Sequence, residues 1–173
     1  MSENHKLDTE TQVFFYEQDF YVLSNFSAFA IQWRISSREG LGRFDTSEAV
    51  YHWEKFKPNI PTGLQYSIMK QIREASSAHD AFKIAEINRE HRRKDWDDVK
   101  VGIMREILRA KASQHEYVYR KLLATGEREL IEDSWRDDFW GIGPNRDGQN
   151  KLGKLWMELR AELQAATGVP DGR

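Results

Sequence analysis

Asp95-Trp96-Asp97-Asp98-Val99-Lys100-Val101-Gly102-Ile103-Met104-Arg105-Glu106-Ile107-Leu108-Arg109-Ala110 is the stretch that sets the class of the fold. Trp96, Val99, Ile103, Ile107 and Ala110 recur at spacings of three and four, which places them on one face of an α-helix. Asp95 stands in the N-cap position before them, followed by an acidic first turn. Towards the C-terminus a second helix is expected over 115–125. Leu130-Ile131 then reads as a short strand, and 133–149 as an irregular segment rich in Trp, Asp and Gly. The last helix, 149–167, has Leu152, Leu155, Trp156, Leu159 and Leu163 on its buried face and is ended by Gly168 and Pro170.

Towards the N-terminus, helices are expected over 77–89, capped by Ser76 or Ser77, and over 64–74. Another starts at Asp45-Thr46-Ser47-Glu48 and stops at Pro58-Asn59-Ile60-Pro61. Val13-Phe14-Phe15-Tyr16 and Ile31-Gln32-Trp33-Arg34-Ile35 are strand-like, the second alternating apolar and polar. The polar, two-glycine stretch 36–42 predicts a turn, hence a short hairpin or meander. There is no repeat, low-complexity tract or linker. The expectation is an α+β, mostly helical single domain over 12–168 with a small N-terminal β-sheet or hairpin, a flexible tail at 1–11 and a short tail at 169–173.

A chain of 173 residues with 39% hydrophobic and 31% charged residues suits one packed core and excludes a disordered protein. The absence of cysteine excludes disulfides and thiolate chemistry and suits a reducing compartment. No apolar run approaches the roughly 18 residues of a membrane helix, and 1–11 lacks a signal-peptide core. A cytoplasmic protein without membrane attachment is expected. A net charge of −2 does not advertise nucleic-acid binding, although a local basic patch would still attract phosphate.

His5, His52, His79, His91 and His115 are not paired at ligand spacing, so a zinc site is not expected; scattered carboxylates leave magnesium open. Gly141-Ile142-Gly143-Pro144-Asn145-Arg146 begins like a dinucleotide fingerprint but lacks the third glycine. Gly148-Gln149-Asn150-Lys151-Leu152-Gly153 puts small and polar residues at a helix start. Free N–H groups there would hold phosphate or carboxylate; the plainer reading is a helix start in which Gly153 permits close packing. Glu48 and Lys55 lie nearly two turns apart and share a helix face. Alternatively Glu48 is a capping-box partner of Asp45 or a first-turn acid, and Lys55 is solvated. The basic run 89–94 is either a solvated loop or a phosphate receiver. Of six tryptophans, Trp135 and Trp140 sit in polar surroundings, where one could stack on a flat base.

Taken in order, these segments resemble the NADAR family. The resemblance runs through Phe15-Tyr16, Leu23-Ser24-Asn25-Phe26, Thr46-Ser47-Glu48 with Lys55-Phe56, Arg93-Lys94-Asp95-Trp96, and Ile107-Leu108-Arg109-Ala110-Lys111. It continues through Leu130-Ile131-Glu132, Phe139-Trp140-Gly141, and Gly148-x-Asn150-x-Leu152-Gly153 with Met157-Glu158-Leu159-Arg160. It departs at Ala49, at His52-Trp53 in place of Gln-Ala, at Asn88-Arg89, and in a longer turn over 36–43.

The resemblance implies an N-glycosidase that breaks a ribose–base bond without a cofactor. It implies Lys55 as nucleophile through a Schiff base, with Glu48 shuttling protons and Asp137 as a second acid–base group. An amine attacks only when deprotonated, so the pocket must depress Lys55, and one proton is expected to be shared between Glu48 and Lys55. Asn25 and Phe26 would meet the substrate, Trp96, Trp140 and Gly141 would line the pocket, and Arg89 and Asn150 would hold phosphates. Two substrates fit: ADP-ribose attached to guanine, free or within nucleic acid, and a phosphoribosylamino-pyrimidine of riboflavin synthesis. The competing classes are a non-catalytic module binding ADP-ribose or nucleic-acid ends, and an interaction protein with a tryptophan surface.

Overall fold

The computed structural model describes residues 8–16 and 21–168. Its elements are β1 (Gln12–Phe15), β2 (Ile31–Ser36), β3 (Gly40–Phe44), α1 (Ser47–Glu54), α2 (Gly63–Arg73), α3 (Ala78–Ile87), α4 (Trp96–Gln114), α5 (Glu116–Ala124), β4 (Glu129–Glu132) and α6 (Lys151–Thr167). Short 3-10 turns lie at Tyr21–Leu23 and Arg89–His91. The class is α+β and mostly helical, as the periodicities predict. Among the described residues no helix is long and apolar enough to cross a membrane. The chain condenses into two units, Asn25–Gln114 on the one hand, and the segments before Asn25 and from His115 onward on the other.

In the unit Asn25–Gln114, β2 and β3 form an antiparallel hairpin with Ile31 opposite Phe44 and Trp33 opposite Gly42. The expected turn over 36–42 is therefore too long. Only 37–39 turn, and the chain regains the extended ladder at Gly40, whose φ of +70° suits glycine. α1 is capped by Thr46, whose hydroxyl accepts from the Ala49 amide at 3.2 Å. Asp45 instead pairs with Arg43 on the surface, so no capping box links Asp45 to Glu48. A complete capping box does form at Thr62 and Gln65, and Ser77 caps α3.

Two further expectations need correction here. α1 ends at Glu54, before the proline-rich stretch, because the carbonyls just past its end find donors outside the helix. The Arg93 amide donates to the Lys55 carbonyl at 2.7 Å, and Arg93 Nη1 donates to the Lys57 carbonyl at 2.9 Å. α4 starts as expected at Trp96, but its buried stripe continues through Met104, Ile107, Leu108, Lys111 and Ala112. Val99, Ile103 and Ala110 are only half-buried. α4 packs on both α1 and β2, which rotates the covered face by one position. The fully buried Lys111 donates from Nζ to Ser27 Oγ at 2.7 Å and lies 5.4 Å from the Phe29 ring centroid.

In the other unit, β1 pairs in parallel with β4, Val13 opposite Leu130. Residues 8–11, expected to be loose, are tied to β1. Asp8 Oδ1 accepts from the Phe14 amide at 2.8 Å, and Thr9 Oγ1 accepts from the amides of Thr11 and Gln12. The rest of the expected N-terminal tail and 169–173, with Pro170, lie outside the described residues. Gly168, at φ +63°, ends α6 as expected. Leu152, Leu155, Trp156 and Leu159 are buried, while Leu163 is half-buried. Gly153 lets α6 approach β4, since a Cβ there would stand 2.1 Å from the Leu130 carbonyl oxygen.

Gly153→Ala tests this contact against helix propensity. Alanine favours a helix interior by about 1 kcal/mol, yet here the methyl meets backbone that cannot yield. The variant should lose about 3 kcal/mol by urea unfolding, and a stabilised variant would contradict the packing.

Lys111 supplies a pH test. Burial lowers its amine from 10.5 to about 7. The unfolded chain therefore binds the extra proton between these values, and folding stability rises with pH across that window. Below about 7 the penalty is fully present. Lys111→Met removes the titration, while the lost Ser27 bond shifts stability by an amount independent of pH. From about pH 7 to 10.5, wild-type stability should gain on the order of 4 kcal/mol relative to the variant. A flat difference in denaturation midpoints across that range would rule out a depressed Lys111.

Candidate functional site

All eight residues of α1 are buried, including Glu48, His52 and Glu54. Glu48 Oε1 lies 2.7 Å from His52 Nε2, one helical turn on, with the Glu48 side chain 12% exposed. The Glu48 amide donates to the Asn25 carbonyl at 3.0 Å, which fastens the loop carrying Asn25 and Phe26 to the start of α1. Glu54 is committed elsewhere: its Oε1 accepts from Trp33 Nε1 at 2.7 Å and Lys57 Nζ at 3.3 Å. Of the two carboxylates on α1, Glu48 is therefore the one on the Lys55 side.

Lys55 is the C-cap of α1 and is half-buried. Its Nζ lies 5.1 Å from the Tyr51 ring centroid, and that ring packs on Trp96 with centroids 5.0 Å apart. Burial pushes the Lys55 amine below the ordinary lysine value. Glu48 and Glu86 pull it back up, and Arg92 and Lys100 push it further down. The desolvation needed for a nucleophilic lysine is thus present, and Glu48 is close enough to be felt.

Asn25 is 5% exposed; its amide Nδ2 donates to Met104 Sδ at 3.4 Å, and its Oδ1 has no hydrogen-bond partner. Such an oxygen is expensive to bury unless something donates to it. Trp96 is a buried wall behind Tyr51, 2% exposed. Phe26 and Arg89 are exposed. The rest of the basic run is largely committed. Arg93 makes two bonds to Asp95, at 2.6 and 2.8 Å, and Arg92 pairs with Asp97 at 3.0 Å. Among the described residues, no three His, Asp or Glu side chains are grouped to hold a metal.

Asp137, Trp140, Gly141 and Asn150 belong to the other unit. Asp137 Oδ1 accepts from the Phe139 and Trp140 amides at 2.9 and 2.7 Å, shaping the turn that holds Trp140. Trp140 is 9% exposed and Trp135 58%, so Trp135 is the surface indole of this segment. Gly141 is a packing glycine, because a Cβ would stand 2.8 Å from the Glu132 carbonyl oxygen.

The start of α6 does not offer the free N–H groups expected of a phosphate site. The amides of Gln149, Asn150, Lys151 and Leu152 donate to the carbonyls of Asp138, Gly141, Phe139 and Trp140 at 2.7–3.1 Å. Asn150 itself is buried, its Oδ1 accepting from the Glu132 amide and its Nδ2 donating to the Leu130 carbonyl. Its amide completes the edge of β4, which leaves no group on this side chain for phosphate.

Spacing sets Glu48, Tyr51 or His52, and Lys55 along one helix without giving His52 a role, and it does not place Lys111 in the core. The i, i+4 spacing of Glu48 and His52 was the available signal for the first. Nothing local marks the second, which lies on a stripe otherwise apolar.

Comparison with known proteins matches the NADAR domain over residues 14–164. The chain is 33% identical over 156 residues to N-glycosidase YbiA of Escherichia coli, covering 90% of this chain and 89% of that protein. It is 33% identical over 155 residues to a riboflavin biosynthesis protein of Vibrio vulnificus, of whose length it spans 39%. The NMR structure of E. coli YbiA superposes with a TM-score of 0.75 at 30% identity, covering 99% of this chain and 95% of that one. The chain belongs to the NADAR family.

Proposed function

As a NADAR protein with a desolvated lysine beside a buried carboxylate, this chain is, we propose, an N-glycosidase that releases a base from ribose through a Lys55 imine. The observation that carries the reading is Lys55, whose amine is depressed by burial while Glu48 acts on it directly. The names N-glycosidase and riboflavin biosynthesis protein among its relatives support the reaction class. They favour a phosphoribosylamino-pyrimidine as the first substrate to test.

In the proposed reaction Lys55 Nζ bonds to the anomeric carbon as the carbon–nitrogen bond to the base breaks. The departing nitrogen takes a proton from Glu48. The ring oxygen then leaves the anomeric carbon and receives the proton given up by Nζ, which leaves an open-chain imine. Water adds to that carbon, one of its protons passes by way of Glu48 to Nζ, and the carbon–Nζ bond breaks as the remaining hydroxyl proton returns to Glu48, which frees the sugar and restores both groups. Asn25 Oδ1 would accept from a sugar hydroxyl or base N–H, and the Tyr51–Trp96 pair would back the lysine.

The test is incubation with the riboflavin-pathway ribosylamine phosphate and, separately, with ADP-ribosylated guanosine, adding borohydride and mapping any adduct by peptide mass spectrometry. An adduct on Lys55 with one of them is expected. The adduct rate should rise with pH and level off below 10.5, the ordinary lysine value. Lys55→Ala should abolish adduct and turnover while changing stability by less than about 1 kcal/mol, because a desolvated amine is lost along with its packing. No base release and no adduct from either substrate, with a folded protein, would replace this reading with that of a binding module.

A further inference from the structure

His52 has no part in the reaction as written, yet it is the closest polar neighbour of Glu48. It is 2% exposed, with Nε2 at 2.7 Å from Glu48 Oε1. Its Nδ1 is buried without a hydrogen-bond partner. Aromatic rings flank it, Tyr51 at 5.5 Å and Phe82 at 5.6 Å between centroids. Glu48 is thus the group that fixes the imidazole by a hydrogen bond, and the imidazole in turn fixes the carboxylate.

The charged groups around the pair come from several elements. Lys55 shares α1. From α3 come His79, whose ring stacks on Phe82, and Glu86, which acts on Lys55. Lys100 of α4 and Arg92 of the preceding segment also act on Lys55. On the α2 and hairpin side, Glu54 is held by Trp33 and Lys57, and Arg73 lies over Phe44.

We propose that His52 is the positioning residue of this site, taking up one additional proton beside Glu48 so that the pair loses its net negative charge and leaves Lys55 as the free amine. This rests on the assignment of Glu48 and Lys55 above. An imidazole can hold a proton on a ring nitrogen and pass it to a carboxylate at hydrogen-bond distance, and Nε2 stands at that distance from Oε1. An ionised Glu48 draws a proton onto Lys55, and a pair holding one more proton has no such pull. When the base departs, the proton on Nε2 passes through Oε1 to the leaving nitrogen: the Nε2–H bond breaks, the base N–H bond forms, and a neutral imidazole beside an ionised Glu48 remains. The hydrolytic water restores the proton to the pair. A glutamine, the residue of the family pattern at this position, can donate a hydrogen bond to Glu48 but cannot store that proton.

The experiment is competitive acetylation of Lys55 in the full chain across the neutral and alkaline range, read by peptide mass spectrometry without substrate. It compares wild type with His52→Gln, after a thermal melt shows that the variant is folded. The Lys55 titration should move up by about one pH unit in His52→Gln, with about a tenfold lower borohydride-trapping rate near neutrality. Adding His52→Gln to Glu48→Gln should produce no further move, since the effect passes through Glu48. Should His52→Gln not fold, wild type alone decides. Its Lys55 labelling curve should depart from a single titration in the neutral range, and that departure should vanish in Glu48→Gln. A shifted titration with no adduct from either substrate upholds the positioning role and removes the glycosidase reading. Equal titrations in folded wild type and His52→Gln, or a single-site wild-type curve, overturn the positioning role even if adducts form.

Discussion

A short helix buried on every side has no solvent to satisfy its polar groups, and α1 carries Ser47, Glu48, His52 and Glu54 into such surroundings. Much of the unit around it answers that constraint. Trp33 and Lys57 take Glu54, and Glu48 and His52 take each other. Thr46 closes one end, and Arg93 takes the Lys55 and Lys57 carbonyls at the other. Arg93 is itself held in a planar fork by Asp95, just ahead of α4. The position of Lys55 is therefore set by the Arg93 amide from a segment well downstream, as well as by its own helix, while the guanidinium holds the Lys57 carbonyl. A lysine at 93 would keep the charge but lose the fork that serves carbonyl and carboxylate together.

The electrostatics of Lys55 are a contest between burial and neighbours. Desolvation is the largest influence and frees the amine; Glu48 and Glu86 oppose it, and Arg92 and Lys100 reinforce it. A catalytic carboxylate beside a catalytic amine is self-defeating if both stay fully ionised, because the pair then relaxes into a salt bridge with no nucleophile. The site needs a means of lowering the carboxylate's charge while keeping it in place. His52 sits at the one distance from Glu48 where a proton can be shared.

Most of this fold was legible because its signals are local. Ser77 announces its helix, and the alternation of Ile31, Trp33 and Ile35 announces a strand. What was not legible depends on residues distant in sequence. β1 finds its partner in β4, more than a hundred residues away, and no turn chemistry encodes that pairing. The early end of α1 depends on Arg93, and the one-position shift of the α4 stripe depends on which neighbours cover it. Lys111 broke the expectation that a lysine on a helix is solvated, because Ser27 and Phe29 meet it inside. For the site, Glu48 and Lys55 were legible as a shared face, while Asn150 misled.

Asn150 and Glu48 show why spacing alone does not separate a site from a scaffold. Both are polar residues at a helix start, where N–H groups and the dipole attract anions. At α6 the carbonyls of 138–141 occupy those amides and Asn150 completes a strand edge, so the amides of the helix start and the Asn150 side chain are matched within the fold. At α1 the matching is incomplete. Asn25 Oδ1, Ser47 Oγ and His52 Nδ1 are buried without hydrogen-bond partners around Glu48 and its helix. A fold leaves few buried polar atoms unmatched, and three of them accompany the helix that carries Glu48, which is what sets α1 apart from α6 as the place proposed for the ligand.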